Sequence, residues 1–407
     1  MITIEEAQQI ILAAASPLGP ERCTLENAYG RVLANDLVAV RRLPNCDNSA
    51  MDGFAIAAED MGKAGSMHDI AFEIPAGDSG VHVLPSGQVA RIFTGAPLPT
   101  GADTVIIQEN CSLREGRVVV HTYPVAHANV RQMGSDLDAD EIYLRQGRVL
   151  NAGDISLCAS QGAVEIPVYM RPRVSILTTG DELIAPDGPE PQRGQVVDGN
   201  SIALRNAVRA IGAEAIAHES IPDQLEDAID VLRNLTADVV ITTGGASVGR
   251  YDHISAALEA VCDSRTGFSK VAVKPGKPVH FRRRDRQLFF GLPGNPVSAI
   301  VAFELFARPA LLSLSGHQKC FRPWLSARLE TALSAGGRRV EFRRAHLRNT
   351  EGGLTVRVNA RQSSGALSSI AGQDGLVRVE VGQGTIEAGQ LVDVYPLSDD
   401  VLYRTGC

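Results

Sequence analysis

The segment of residues 239–253 constrains the fold most, because it joins an apolar strand to a glycine-rich loop and then to a helix. Residues 239–241 are β-branched and apolar, which is typical of a buried strand. Small residues follow, among them Gly244, Gly245 and Ser247. Glycines in such a loop let backbone N–H groups approach an anion closely. Residues 254–261 have a helical pattern. In an open α/β sheet, ligands bind at such strand ends, although an ordinary connection is the alternative.

Two later loops favour the anion-binding interpretation. Lys274 and Lys277 belong to a KPGKP segment, and lysine side chains are point charges suited to oxyanions. In the following GLPGNPVSA segment, Asn295 resembles a helix N-cap and Pro296 a first helical residue. That helix would direct its N-terminus, with Ser298 in the first turn, at a negative ligand.

Length and charge limit the classes of protein that remain. The 407 residues suffice for several domains, and the net charge of −8 argues against a general nucleic-acid binder. Seven scattered cysteines form no CxxC pair, which favours free thiols in a reducing cytosol. The acidic, amphipathic start differs from a signal peptide, and we expect no apolar stretch that could span a membrane.

Residues 173–306 form the clearest unit, in which strand and helix patterns alternate. This alternation predicts a mostly parallel sheet with helices on both faces. Glu182, Asp198 and Asp252 would then lie at one edge of the sheet, where the strands end. Paired carboxylates near phosphate-type loops suggest magnesium, with Glu182 and Asp252 as its ligands, whereas helix capping is the simpler role for Asp198.

The flanking regions have β patterns. Residues 72–120 read as short strands and turns, and residues 321 onward as strands of a small closed barrel. Asp52 precedes Gly53, so that a turn acid with a local hydrogen bond is the favoured interpretation of this residue alone. Thr94 lies in a stiff loop and Asp136 in a segment leading out of the region; both positions suit either ligand binding or a turn.

We therefore predict an α/β multidomain protein with a central, mostly parallel α/β domain. The small β domain would be inserted into a discontinuous N-terminal domain, and a β-barrel would close the chain. The expected boundaries are 1–45 with 141–172 for the N-terminal domain, 46–140 for the insertion, 173–317 for the α/β domain and 318–407 for the barrel.

Taken together, nine motifs resemble the molybdopterin molybdenumtransferase family, which includes the E domain of gephyrin. They run through nearly the whole chain in order, which makes the match far more specific than any single motif. The matching segments are SAMDGFAI, TGAPLPTGADTVI, RQMGSDL, TTGDEL, VDGNS, TTGGASVGRYDH, KPGKP, GLPGNPVSA and QSSGALSS. Two small departures are Arg250, where many members have an acidic or small residue, and Phe54, where tyrosine is frequent.

The resemblance implies a homodimeric, cytoplasmic enzyme with a central domain similar to molybdopterin adenylyltransferases. Such an enzyme takes adenylylated molybdopterin and molybdate and releases molybdenum cofactor and AMP with the assistance of Mg²⁺. It implies catalytic roles for Asp52, Glu182 and Asp252, and places Thr94, Asp136 and Asp198 around the site. The residues that it implies for holding substrate or molybdate are Lys274, Lys277, Ser298, Arg344 and Ser363. Other proteins of cofactor biosynthesis are possible partners; nucleic acid and membranes are not expected.

Two alternatives remain at this point. One is an activity like that of molybdopterin adenylyltransferase, carried by the α/β domain alone. The other is a scaffold that binds a partner peptide, as the E domain of gephyrin also does. The set of acidic residues favours catalysis over the scaffold.

Overall fold

The computed structural model describes residues 1–221, 224–244, 253–335, 337–398 and 401. These residues form seven α-helices and one π-helical turn, Phe303–Ala307. The helices are α1 (Ile4–Ala14), α2 (Ala152–Ser160), α3 (Gly199–Ala210), α4 (Leu225–Asn234), α5 (His253–Val261), α6 (Pro296–Ala302) and α7 (Arg308–Leu314).

The described residues also form 28 strands, most of them short. They are β1 (Pro20–Thr24), β2 (Leu37–Val38), β3 (Asn48–Ser49), β4 (Gly53–Ile56), β5 (Met67–Ile74), β6 (Val89–Ile92), β7 (Thr104–Ile107), β8 (Cys111–Arg114), β9 (Arg117–Val120), β10 (Val130–Arg131), β11 (Ile142–Leu144), β12 (Glu165–Tyr169), β13 (Arg173–Thr179), β14 (Leu183–Ile184), β15 (Val196–Val197), β16 (Glu214–Ile221), β17 (Val239–Thr243), β18 (Asp263–Phe268), β19 (Val273–Lys274), β20 (His280–Arg284), β21 (Gln287–Leu292), β22 (Leu325–Leu329), β23 (Leu333–Ala335), β24 (Val340–Thr350), β25 (Gly353–Val358), β26 (Gly375–Val379), β27 (Gly384–Ile386) and β28 (Leu391–Pro396).

Contacts divide the chain into two compact units. The larger unit contains residues 1–34, 147–151 and 165–407, and the smaller unit contains residues 35–146 and 152–164. Since the smaller unit interrupts the larger one, the chain passes between them more than once. The finer division into four domains stays a prediction.

The larger unit is built around a six-stranded sheet with the order β16-β13-β17-β21-β20-β18. Four neighbouring strands, β16, β13, β17 and β21, are parallel, whereas β20 pairs antiparallel with β21 and β18 pairs antiparallel with β20. The carboxyl ends of the four parallel strands therefore meet at one edge of the sheet. This arrangement confirms the predicted mostly parallel sheet.

Successive side chains of β17 enter different cores, which places helices on both faces of the sheet. Val239 and Ile241 pack in the core that contains Leu204 of α3 and Val297 of α6. Val240 packs in the other core, which contains residues of α4 and α5. A strand buried on both faces needs a continuous apolar run, and this explains the absence of polar alternation in β17.

The helix Pro296–Leu314 corrects one expectation from the sequence. Its 19 residues, with a mean hydropathy of 1.6 in the best window, are long and apolar enough for a membrane span, a stretch that we did not expect. However, 89% of that window is buried inside the protein. The helix includes α6, the π-helical turn and α7, and its apolar side chains fill the larger core as those of a central helix do.

The first helix forms as its sequence predicts. The hydroxyl of Thr3 accepts a hydrogen bond from the backbone N–H of Glu6, and the carboxylate of Glu6 accepts one from the N–H of Thr3. Such a cap contributes roughly 1 kcal/mol to helix stability. Ala7 and Ile11 then face the core of the larger unit, so the role of this helix is structural.

The C-terminal strands close on themselves. The sheet order is β19-β24-β25-β22-β28-β26, and β24 pairs additionally with β26. Because β26 also pairs with β28, the strands β24, β25, β22, β28 and β26 form a ring. The predicted small closed barrel is thus confirmed.

The smaller unit contains a six-stranded sheet with the order β7-β4-β6-β5-β9-β8. Its interior strand β4 is buried along its whole length and pairs with both β6 and β7. Gly53 begins this strand, and a side chain there would lie 1.9 Å from the backbone oxygen of Ile106. Only glycine fits at this position, which determines where Asp52 stands relative to the sheet.

Candidate functional site

Two strand-end loops of the α/β sheet approach each other more closely than side chains allow. Thr179 ends β13 and Thr243 ends β17, and both are buried. Gly244 follows with φ +97°, and a Cβ there would lie 2.4 Å from the carbonyl oxygen of Thr179. Glycine is needed at this position both for its backbone angle and for the missing side chain.

A third loop joins these two at the same edge. The amide nitrogen of Asn200 donates to the hydroxyl of Thr243 at 3.1 Å and to the carbonyl oxygen of Gly294 at 2.7 Å. A Cβ on Gly294 would lie 3.4 Å from the Cα of Gly244. Asn200 therefore ties the start of α3 to the ends of β17 and β21. The result is a compact surface of small residues and backbone groups.

The N-terminus of α6 lies beside this surface. Asn295 is the N-cap residue and Pro296 the first helical residue, as predicted, although the side chain of Asn295 makes no capping bond. The N–H of Val297 donates to the carbonyl oxygen of Ser364, so a loop of the C-terminal region reaches the first turn. Ser298, in that turn, is buried and 4% exposed. Helix N-termini of this kind attract anions.

The two lysines of the KPGKP segment have different surroundings. Gly276, between them, lies against α6, where a Cβ would stand 3.7 Å from the carbonyl oxygen of Ser298. The ammonium of Lys274 lies 3.0 Å from the carboxylate of Glu341, which also accepts from Arg343. Lys277 is exposed.

Glu341 is held ionised by these cations. Its burial opposes ionisation, but hydrogen bonds and charge from Lys274 and Arg343 outweigh that cost and lower its pKa. Lys274 therefore has a fixed counter-ion, whereas the ion pairs of the described residues include none for Lys277. Of the two lysines, Lys277 is the one whose charge is available to a ligand.

Arg344 has a positioning role rather than an exposed charge. Its guanidinium is buried, 1% exposed as a residue, and donates to the hydroxyl of Ser369 and to the carbonyl oxygens of Arg361 and Ser363. These bonds fix the loop that carries Ser363, whose own side chain is exposed. We therefore assign to Arg344 the support of this loop.

Two of the predicted carboxylates lie at the same edge. The carboxylate of Asp198 caps α3 by accepting from the N–H of Ser201 at 3.0 Å, which confirms the simpler interpretation of this residue. Glu182 is exposed, and its carboxylate lies over Gly180, where a Cβ would be 2.6 Å from Oε2. Gly180 has φ +133° and leaves the space that this carboxylate occupies.

Three predicted residues, Gly245, Ser247 and Asp252, lie outside the described residues. Within the part of the chain that the structure describes, no group of three or more His, Cys, Asp or Glu side chains is suited to a metal ion. At the described edge, Glu182 and Asp198 are the predicted acidic side chains.

The smaller unit contains a separate polar pair, Asp52 and Thr94. One carboxylate oxygen of Asp52 accepts from both the N–H and the hydroxyl of Thr94, each at 2.7 Å. The expectation of a local turn bond for Asp52 was wrong, because these donors lie 42 residues away. The two bonds, and to a smaller extent the charge of Arg91, lower the pKa of Asp52.

Asp136 lies elsewhere in the smaller unit, at a cavity of about 660 Å³. The lining also includes the exposed side chain of Arg131 and Ser156 of α2. A cation and an anion thus face the same space. This geometry is compatible with ligand binding and leaves the role of Asp136 a prediction.

Three contributors at these sites were missed from the sequence. The hydroxyl of Thr179 is buried without a hydrogen-bond partner, Glu341 pairs with Lys274, and the guanidinium of Arg91 lies 4.9 Å from the centre of the Phe54 ring. The position of Thr179 at the end of a buried strand was a usable signal. Glu341 and Arg91 had none, since their partners are distant in sequence or on a neighbouring strand.

Three family models match successive parts of this chain. Residues 2–162 match the MoeA N-terminal region (domain I and II), residues 175–313 a probable molybdopterin binding domain, and residues 326–397 the MoeA C-terminal region (domain IV). A molybdopterin molybdenumtransferase from Haemophilus influenzae is 33% identical over 405 residues, which is 98% of this chain and 99% of that relative. The chain belongs to the molybdopterin molybdenumtransferase family.

Further members of the family extend the similarity. Molybdopterin molybdenumtransferase 2 from Mycobacterium tuberculosis is 34% identical over 409 residues, covering 98% of this chain and 100% of that protein. A crystal structure of the molybdopterin biosynthesis MoeA protein from Pyrococcus horikoshii has a TM-score of 0.80 and 27% identity, and covers 97% of this chain and 99% of its own. Sequence and fold therefore agree on a transferase family of molybdenum cofactor biosynthesis.

Proposed function

We propose that this protein inserts molybdenum from molybdate into adenylylated molybdopterin and releases AMP with the assistance of magnesium. Family membership over nearly the whole chain supports this reaction. The observation that carries the proposal is the convergence of Thr179, Gly244 and Gly294 at one edge of the sheet, beside the N-terminus of α6. Both substrates are oxyanions, and this edge is built from groups that receive oxyanions.

The reaction breaks a pyrophosphate-type linkage while negative charge accumulates on phosphate oxygens. Preoriented N–H groups and cations lower the energy of such a transition state because they need no reorganisation during the reaction. In our proposal the loops at Gly244, Gly245 and Ser247 hold the phosphate groups. Lys277 receives molybdate, assisted by Ser298 and by the loop that carries Ser363. Lys274 and Arg344 position this surface, since both are held by contacts within the larger unit.

The residues that would hold a magnesium ion at this edge are Glu182 and Asp252. Mg²⁺ in phosphoryl-transfer sites is usually bound by one or two carboxylates and by substrate phosphates. Glu182 is exposed at this edge, and Asp252 is the second carboxylate that we propose. Magnesium would neutralise charge on the phosphate oxygens, and Asp198 would support the start of α3 near them.

We further propose that the enzyme is a cytoplasmic homodimer whose site is completed by Asp52 and Thr94 of a second subunit. The support is that this pair belongs to a different compact unit from the lysines and Glu182. Both hydrogen bonds from Thr94 lower the pKa of Asp52 and hold its carboxylate in a fixed position, which suits a catalytic carboxylate. Asp136, which shares a cavity with Arg131, would bind substrate in that unit.

The experiment is incubation with adenylylated molybdopterin, molybdate and magnesium while AMP and molybdenum cofactor are measured. We expect AMP release that requires magnesium and cofactor formation that requires molybdate. Formation of adenylylated molybdopterin from ATP and molybdopterin would instead indicate an adenylyltransferase. The absence of both reactions, with a folded protein, would contradict the proposal and favour a scaffold.

A further inference from the structure

We propose that the larger unit contains a second anion site, remote from the sheet edge, that binds a small organic phosphate. The site is a cavity of about 860 Å³ at the far end of α3, where Ala210 and Ile211 contribute to its wall. Because α3 has 12 residues, its two ends are about 18 Å apart. Asn200 binds the strand-end loops at one end, so the cavity at the other end is distinct from the proposed catalytic edge.

The cavity wall is strongly basic. Five arginines line it, against a single glutamate, in a chain whose net charge is −8. They are Arg31, Arg171, Arg209, Arg308 and Arg322. Arg31 is paired with Glu21, whereas the ion pairs of the described residues include none for Arg171 or Arg209, both of which are exposed. The site is therefore a local positive exception on an acidic protein.

Arg308 adds a buried positive charge to the cavity wall. The residue is 8% exposed, and its Nε, which is buried, has no hydrogen-bond partner. The Nε lies 3.8 Å from Oε2 of Glu304, beyond hydrogen-bond distance, while Nε of Arg322 lies 3.3 Å from the same oxygen. One carboxylate therefore faces two guanidinium groups, which leaves this part of the wall with excess positive charge.

A π-helical turn lies at this part of the wall. Residues Phe303–Ala307 interrupt the long helix; Glu304 lies within the turn, Arg308 follows it directly, and both line the cavity. Such turns often occur at functional sites. Burial, and after it the charge of Arg308, lowers the pKa of His317 in the same wall.

The shape and the remaining wall define the class of ligand. Guanidinium groups match phosphate and carboxylate oxygens, and several converging arginines favour an anion with more than one charge. Ile211, Leu312 and the ring of Tyr169 offer apolar surface beside the charges. The volume lies within the range of about 300–1,000 Å³ that is usual for small-molecule sites. A phosphate monoester with an apolar or planar body meets both requirements.

The opposing interpretation is purely structural. Arg209 in the last turn of α3 complements the partial negative charge of that helix end. Glu304 neutralises part of the charge of Arg308 and Arg322. In that case the cavity would bind no ligand. The two interpretations differ in what happens when the exposed arginines are removed, since neither Arg171 nor Arg209 is buried in the fold.

The test is calorimetric titration of the full-length protein with AMP, inorganic phosphate and succinate, each in separate experiments. The cavity variant carries Arg171→Ser and Arg209→Ser, and the matched control carries Arg286→Ser, which removes an exposed arginine of the β20–β21 hairpin. A Gly244→Ala variant, shown to be folded by circular dichroism, separates binding at the sheet edge, because we propose that phosphate groups bind the Gly244 loop. We expect AMP to bind the wild type, the control and the Gly244→Ala protein. The binding that persists in the Gly244→Ala protein should weaken at least tenfold when Arg171→Ser and Arg209→Ser are added.

Each other outcome has a defined meaning. Unchanged AMP affinity when the two cavity substitutions are added to the Gly244→Ala protein, or loss of AMP binding in the Gly244→Ala protein by itself, would overturn the proposal. Tighter binding of succinate than of phosphate and AMP would overturn the assignment to phosphate. The cavity variant should keep its rate of AMP release from adenylylated molybdopterin, so failure of this site and failure of the proposed reaction are distinguishable.

Discussion

The strand-end edge of the larger unit differs in its electrostatics from the Asp52–Thr94 pair of the smaller unit. The edge suits negative charge on a ligand, whereas the pair contains a negative charge of the protein itself. The edge is made of small residues, backbone groups and a helix N-terminus, which stabilise negative charge on a ligand. The pair stabilises a negative charge on the protein itself, through two hydrogen bonds from Thr94 to one carboxylate oxygen. A reaction between oxyanions needs both kinds of site: one that holds the anions and one that supplies an ionised group or a metal ligand.

The comparison also shows how differently the two sites depend on packing. At the edge, Gly244 cannot carry a side chain without moving neighbouring backbone, whereas a Cβ on Gly294 would make an ordinary van der Waals contact. In the smaller unit, Asp52 and Thr94 are brought together because β4 and β6 are paired neighbours and each residue lies next to its strand. Substitutions at the edge should therefore impair function by distorting the backbone, whereas substitutions in the pair should impair it by removing or weakening the negative charge.

The largest effect that we expect is on catalysis when either site loses its carboxylate. Asp52→Ala and Glu182→Ala should each lower AMP release by on the order of a hundredfold or more, as with other preorganised electrostatic groups. If two subunits share each site, mixing the two inactive variants should restore part of the activity. The measurement is turnover by mixed dimers isolated with two affinity tags; inactive mixed dimers would place both residues in one subunit's site.

The next effect concerns the two lysines, which the structure distinguishes. Lys277→Ala should raise the molybdate concentration needed for half-maximal turnover roughly tenfold or more, because a charge-assisted bond contributes about 1.5–3 kcal/mol. Lys274→Ala should have the smaller direct effect, since its ammonium already pairs with Glu341. Molybdate titration at saturating adenylylated pterin measures both, with Lys319→Ala as an exposed control. Equal molybdate dependence in all variants would contradict oxyanion binding by this segment.

A third prediction isolates steric crowding at the edge. Gly244 and Gly194 have nearly equal φ values, +97° and +96°, but a Cβ meets backbone only at Gly244. Alanine at Gly194 should cost roughly 1–2 kcal/mol of unfolding free energy for its left-handed backbone. Alanine at Gly244 should cost about 1–3 kcal/mol more, because overpacking is added. Urea unfolding measures the unfolding free energy of both variants. Equal losses of unfolding free energy would contradict the close approach at Gly244.

The smallest effect is a shift in pH dependence. Thr94→Val removes the hydroxyl donor but keeps the N–H donor to Asp52. The pKa of Asp52 lies below its ordinary value, so its ionised form is present above that pKa and is lost as the pH falls through it. In Thr94→Val the pKa should rise toward the ordinary value, moving the acidic limb of the pH–rate profile to higher pH. An unmoved limb would show that Asp52 does not control this part of the profile.

Local features were predictable from the sequence because they depend on neighbouring residues. The capping box of Thr3 and Glu6, the buried strand at residues 239–241 and the Asn295-Pro296 helix start all formed as expected. The alternation of strands and helices also predicted the parallel sheet, and with it the shared edge. Capping hydrogen bonds and side-chain periodicity depend on residues that are close together in the sequence. These features could therefore be predicted without tertiary information.

Distant pairings decided the rest. The resemblance implies that Arg344 and Lys274 hold substrate or molybdate. The structure adds that the guanidinium of Arg344 is buried and binds the Ser363 loop, and that Lys274 pairs with Glu341, 67 residues away. Ring closure of the barrel through β24 and β26, and the arginine-lined cavity, likewise join segments far apart in the chain. The sequence by itself determined the elements, the family motifs and the sheet edge. Only the tertiary structure decided which charges meet a partner, because burial and pairing depend on the packing of the whole unit.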